Sequence, residues 1–163
     1  MKTLLLMRHA KSDWSDASLS DFDRPLNERG MRAAQFMGAM LRHERLIPDH
    51  VIASPAHRAL TTAELVVENI GPCGEIERDH HIYEAAVGKL LDVVASINTG
   101  PECVLLIGHN PGMEGLISHL TKVITPMPTA AIAVIELDVD AWRDVHNARA
   151  QLSRVFIPRE LME

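Results

Sequence analysis

Three apolar runs in this chain stop abruptly on cationic or imidazole side chains. Thr3–Met7 ends on Arg8-His9, Val51–Ala53 leads through Ser54-Pro55-Ala56-His57 to Arg58, and Val104–Ile107 leads through Gly108 to His109. Unbroken apolar runs of this length suit strands covered on both faces. A strand that ends on Arg or His delivers that side chain where the backbone emerges into solvent. Recurrence of the pattern points to one site assembled at neighbouring strand ends.

Between these runs the periodicity turns helical. Asn27 is a good cap after the stop at Pro25, and Ala33, Phe36, Met37, Met40 and Leu41 mark the apolar face of a first helix. A second helix after Pro55 should bury Leu60, Ala63, Val66, Val67 and Ile70. A third over 86–97 carries Val87, Leu90, Leu91, Val94 and Ile97, and a fourth after Pro111 carries Met113, Leu116, Ile117 and Leu120. Strands are expected at 3–7, 50–53, 103–107 and 131–137, with a short strand near 75–79 and an extended piece near 151–157. Such alternation predicts an α/β fold, a three-layer α/β/α sandwich around a mostly parallel central sheet. Ligands of these sheets bind beyond the carboxyl ends of the strands, where Arg8-His9, Arg58 and His109 fall. Segment 11–26, rich in Ser and Asp, is too long for a simple turn and is expected to be functional.

At 163 residues the expectation is one domain spanning 1–163, large enough to bury about two-thirds of its unfolded surface. A formal charge of −6 argues against nucleic acid, whose binders carry basic surfaces. It does not exclude an anionic substrate, because clustered arginines dominate a diffuse field at contact distance. No apolar run approaches the length of a membrane span, and the opening run is broken by Arg8 before it resembles a signal peptide. The cytoplasm is the default expectation. Cys73 and Cys103 are too few for a disulfide framework and lack metal-site spacing.

A lone His or Arg at a strand end is usually structural. Together, two guanidiniums can grip a phosphoryl group by bidentate hydrogen bonds and disfavour protonation of a nearby imidazole. That ring keeps a lone pair for in-line attack, and a second imidazole can stabilise charge on a non-bridging oxygen.

These residues resemble the histidine phosphatase superfamily, with its phosphoglycerate mutase-like fold, and within it the short bacterial phosphohistidine phosphatases of the SixA type. Arg8-His9-Ala10 is similar to the signature Arg-His-Gly. Asp23-Arg24-Pro25-Leu26-Asn27-Glu28-Arg29-Gly30 resembles the approach to the first helix. Ser54-Pro55-Ala56-His57-Arg58-Ala59 with Thr62 resembles the second-arginine motif, and Gly108-His109-Asn110-Pro111 the second-histidine motif. Pro128-Thr129-Ala130-Ala131 resembles the stretch before the last main strand. Ala10 departs from the usual glycine, and its methyl restricts the turn.

The resemblance implies a metal-independent phosphatase, without cofactor, acting through a phosphorylated His9. Arg8, Arg58 and His109 would form the phosphate pocket. Arg24 matches a further phosphate-side arginine; its alternative is a loop cation paired with Asp21 or Asp23. Glu84 lies where larger members carry a general acid; its alternative is an exposed residue capping the next helix. Imidazole, with a reference value near 6.5, departs more readily than an alkoxide, so a weak acid would bias the enzyme toward phosphohistidine. The expected substrate is a phosphorylated protein such as a histidine-phosphotransfer-like domain. The alternative is a broad-specificity phosphomonoesterase or a mutase-like enzyme acting on small phosphoesters. Rival sites are weaker. Asp138-x-Asp140 lacks the residues that follow in dehalogenase-type phosphatases, Cys73 and Arg78 have the wrong spacing for a thiol phosphatase, and His80-His81 reads as a solvated turn.

Overall fold

Period-two alternation along the first strand decides the layering. The structure, a computed structural model, describes residues 1–162. In β1 (Lys2–Arg8), Leu4 and Leu6 face one side of the sheet and Leu5 and Met7 the other, all fully buried. The remaining elements are α1 (Glu28–His43), β2 (His50–Ala53), α2 (His57–Ile70), β3 (Ile76–Arg78), α3 (Val87–Ala95), β4 (Cys103–Gly108), α4 (Gly112–Thr121), β5 (Ile132–Leu137), β6 (Ala150–Phe156) and α5 (Pro158–Leu161).

The sheet order is β3-β2-β4-β1-β5-β6. Strands β3, β2, β4 and β1 are parallel, whereas β5 pairs antiparallel with β1 and with β6. The sheet is therefore mixed, with β5 alone reversed. On one face α1 and α2 pack Ala34, Met37, Leu41, Ala63 and Val66 against Leu5, Met7, Leu105 and Ile107. On the other face α3 and α4 pack Leu90, Val94, Met113 and Leu116 against Leu4, Leu6 and Leu106. Trp142 and Val145, from a three-ten turn, complete that side. Each of these large aliphatic side chains contributes about 2 kcal/mol by leaving water.

Asn27 caps α1 as expected, its Oδ1 accepting the Gly30 N–H at 2.8 Å. The buried stripe of α1 differs from the expected one: it runs Gly30, Ala34, Met37, Gly38 and Leu41, with Ala33, Phe36 and Met40 half-buried at its flank. The reason is close approach. A Cβ on Gly38 would meet Val66 O of α2 at 2.5 Å, and one on Gly30 would meet Lys11 O at 2.1 Å. A count of apolar side chains misses the glycines that let backbones touch. In α2 the buried stripe likewise includes Arg58 and Thr62, while Leu60 and Val67 are half-buried. Helix α3 ends at Ala95, short of 97, and β6 buries little but its last residue, so it is not covered on both faces. Among the described residues no helix is long and apolar enough to cross a membrane.

Because β1, β2 and β4 are parallel, their carboxyl ends open on one edge of the sheet. The site lies there.

Candidate active site

His9 is the first residue past β1, and its backbone is clamped from both sides. Its N–H donates to Gly108 O at 3.0 Å, and its carbonyl accepts the Ala130 N–H at 3.0 Å. Ala130 holds a left-handed φ of 65°, uncommon for a non-glycine residue, and also donates to Arg8 O. The Ala10 N–H donates to Thr62 Oγ1 at 3.0 Å, and that hydroxyl donates to Arg58 O at 2.7 Å. Ala10 has no left-handed φ and its methyl is fully buried beside α1 and α2, so alanine fits where the sequence motif has glycine.

The imidazoles face each other with ring centroids 5.1 Å apart. His9 Nδ1 lies 2.7 Å from the carbonyl oxygen of Ala10, an acceptor only, which places the proton on Nδ1. Nε2 therefore carries the lone pair, and Arg58 Nε approaches it at 3.4 Å. His109 is held through Nε2, 2.8 Å from Ser54 Oγ, while its Nδ1 faces Arg58 Nη2 at 3.4 Å. A serine hydroxyl both donates and accepts. Ser54 can thus support either neutral tautomer of His109, including the one that turns an Nδ1–H toward an incoming oxyanion.

Two of the three cations are organised by one carboxylate. Asp21, in a three-ten turn of segment 11–26, accepts from Arg58 Nη2 at 3.0 Å, Arg24 Nη2 at 2.6 Å and the Tyr83 hydroxyl at 2.5 Å. Its carbonyl also accepts from Arg58 Nη1. Arg24 donates further to Ser12 Oγ at 2.6 Å and stacks under Trp14, 3.4 Å from the ring centroid. Arg8 donates Nη1 to Met127 O at 3.1 Å. The buried Nε atoms of Arg8 and Arg24 have no hydrogen-bond partner among the described residues.

Burial governs the charge states. It holds His9 down to about 4, helped by Arg58, Arg8 and Arg24 and opposed by the Ala10 hydrogen bond. Burial likewise holds His109 down to about 3, with His9 and Arg58 adding to it. Neutral imidazole was expected from the arginines alone; desolvation proves the larger cause. The Tyr83 hydrogen bond and the two guanidiniums keep the Asp21 carboxyl far below the usual range, although burial opposes them. Burial and Asp21 push the Tyr83 phenol up to about 12. Neutral nitrogen nucleophile, guanidinium donors and a second imidazole together form a set that can accept and transfer a phosphoryl group.

The family model for histidine phosphatase superfamily (branch 1) matches residues 4–102. The chain belongs to the histidine phosphatase superfamily. It is 30% identical to the Mycobacterium tuberculosis protein Rv1276c over 94% of this chain and 100% of that one. Among solved structures it resembles the Nakamurella multipartitia protein assigned as phosphohistidine phosphatase SixA, with a TM-score of 0.86 and 27% identity over 96% of each chain. The SixA protein assigned in the same way from Agrobacterium tumefaciens gives a TM-score of 0.81 and 26% identity, covering 96% of this chain and 99% of that one. The chain is a phosphatase of the histidine phosphatase type.

Against that family, the structure brings Arg8, His9, Arg58 and His109 together on one sheet edge. Arg24 joins them through a shared carboxylate: it pairs with Asp21, and Asp21 pairs with Arg58. Glu84 does not join. It is exposed, holds a left-handed φ of 54° and has no hydrogen bond or ion pair among the described residues. The neighbouring Tyr83, the sole tyrosine of the chain, reaches the site instead, its ring edge-on to His109 at 5.4 Å. Sequence reasoning offered Asp21 only as a possible partner of Arg24, not as the carboxylate that also holds Arg58 and Tyr83, and gave no separate role to Tyr83 or Ser54. Thr62, four residues after Arg58, was legible as sharing its helix face. Asp138 and Asp140 are exposed beyond the opposite edge of the sheet, after β5. His80 and His81 gain a third ligand-type atom from Asp79, all within 4.8 Å, but that carboxylate already caps the turn by accepting the His81 N–H.

Proposed function

We propose that the protein hydrolyses phosphohistidine on a partner protein through a covalent intermediate on His9, without a metal ion. The observation that carries this reading is the Nδ1–H of His9 locked onto Ala10 O, which aims an unprotonated Nε2 at the space flanked by Arg58 and His109. Nε2 forms a bond to phosphorus as the substrate's nitrogen–phosphorus bond breaks, and the departing imidazole takes a proton from solvent. Water then attacks the phosphoenzyme and releases phosphate. Arg8, Arg24 and Arg58 supply the positive charge that a divalent ion supplies elsewhere, and His109 steadies a non-bridging oxygen. An exposed Glu84 without contacts fits a leaving group that needs little acid assistance, and the likeness to proteins assigned as SixA supports the same substrate class.

The test is turnover of a phosphorylated histidine-phosphotransfer domain beside a panel of alkyl phosphates, with and without EDTA. Expected are preferred turnover of the phosphoprotein, acid-labile phosphate trapped on the wild type but not on His9→Ala, and indifference to EDTA. Glu84→Gln should leave phosphohistidine turnover intact. Faster turnover of the alkyl phosphates, equal losses on both substrates in Glu84→Gln, or restoration by magnesium after EDTA overturns the reading.

A further inference from the structure

A second concave surface opens on the same edge of the sheet, beyond β1, β5 and β6 rather than beyond β2, β4 and β1. It encloses about 400 Å³ and is lined by Lys11, Arg29, Arg32 and Arg159 over an apolar floor that includes Ile157 and Pro158. Topology fixes its position. Lys11 lies two residues past His9, and Gly30, between Arg29 and Arg32, presses α1 onto the Lys11 backbone. Phe156 at the end of β6 pairs with Ile132, which pairs with Met7 beside the nucleophile, so Ile157 and Pro158 emerge level with the site. Its wall at Pro128 and Thr129 precedes Ala130, the residue that clamps the His9 carbonyl.

The charge is what sets this groove apart. The chain carries 22 acidic against 16 basic residues, yet among the described residues no carboxylate lines the groove. Lys11, Arg29, Arg32 and Arg159 form no ion pair among the described residues, in contrast to Arg24, Arg58 and Arg154. An acidic partner is repelled by the diffuse field of the molecule and attracted by this cluster of cations. The apolar floor adds a requirement that free phosphate cannot meet, because it rewards burial of aliphatic surface.

We infer that this groove seats an acidic, amphipathic segment of the phosphorylated protein and so presents its phosphohistidine to His9. The inference rests on the reading under Proposed function, since it assumes a protein substrate. Free phosphohistidine carries no acidic, amphipathic segment, so it has nothing with which to use the groove.

The experiment compares kcat/KM on an acidic phosphorylated histidine-phosphotransfer domain and on free phosphohistidine, for the wild type, Arg29→Glu/Arg32→Glu and Arg29→Lys/Arg32→Lys. An acidic residue at 29, in the first turn of α1, favours the helix dipole, and both side chains are exposed, so the charge-reversed protein should fold. The expected result is a fall of about tenfold on the phosphoprotein with free phosphohistidine unchanged, loss of the salt dependence, and rescue by the lysine pair. Arg159→Glu, outside α1, should reproduce the loss. Phosphoprotein turnover unaffected by charge reversal, or falling equally on both substrates, overturns the groove and leaves the function standing. Failure of the wild type on the phosphoprotein, with turnover of small phosphoesters, overturns the function and the groove assignment with it.

Discussion

Acidification from about pH 7.5 to about pH 5 separates an enzyme with two buried neutral imidazoles from one with ordinary histidines. An imidazole at its ordinary value near 6.5 is about 97% protonated at pH 5, whereas one held at about 4, as His9 is, is about 10% protonated. The neutral fraction differs about thirtyfold. The sign for stability follows from the same numbers. The unfolded chain takes up protons below 6.5 while the folded state resists until about 4 at His9 and about 3 at His109, so stability declines as pH falls through that window and levels off beneath it. Each group costs about 2 kcal/mol at pH 5, about 4 kcal/mol for the pair. Asp21 does not contribute there, because the stability from a depressed carboxyl is lost only below its unfolded value. Urea unfolding at the two pH values measures the loss, and a His9→Gln/His109→Gln variant should lack most of it. In parallel, kcat/KM on a small phosphoester, corrected for the substrate's own ionisation, should hold down to pH 5. An acid limb centred near 6.5, or an equal stability loss in the double variant, refutes the reasoning.

Three substitutions probe the supports of the site. Asp21→Asn removes the carboxylate that competes with an oxyanion for Arg24 and Arg58; discounted for its half-exposed position, the gain is about 1 kcal/mol, or about fivefold tighter inhibition by inorganic phosphate, and weaker inhibition would count against it. Ser54→Ala leaves His109 Nε2 without its partner, at a cost of about 1–3 kcal/mol of stability in urea unfolding together with lower kcat; unchanged stability would contradict the assigned contact. Gly30→Ala drives a Cβ toward Lys11 O at 2.1 Å and should lower stability by about 3 kcal/mol with loss of activity, whereas Gly88→Ala, in α3 with nothing within 4 Å, should stabilise by about 1 kcal/mol. Thermal unfolding of the two variants decides between them, and equal effects would show that the close approach is not real.

The layers were legible in the sequence because burial on both faces leaves an unbroken apolar run, as in Leu4–Met7 and Val104–Ile107. The reversal of β5 was not, since Ile132–Leu137 reads the same in either direction. Arg8, His9, Arg58 and His109 were legible because each directly follows such a run or opens the next helix. Asp21 and Tyr83 were not, for they reach the site from a loop and a turn 62 positions apart, where no periodicity ties them together. Glu84 and Tyr83 are adjacent in sequence, and only backbone geometry, a left-handed φ at Glu84, decides which of the two faces the chemistry.

The direction of the outer strands has a practical corollary. Lys2 begins β1 at the end remote from Arg8, whereas Phe156 finishes β6 level with Met7. A surface tether held at the Lys2 end of β1 therefore leaves the working rim unobstructed, and one held just behind Phe156 crowds it. Immobilisation at one strand end or the other gives two orientations of one molecule, rim outward or rim shielded.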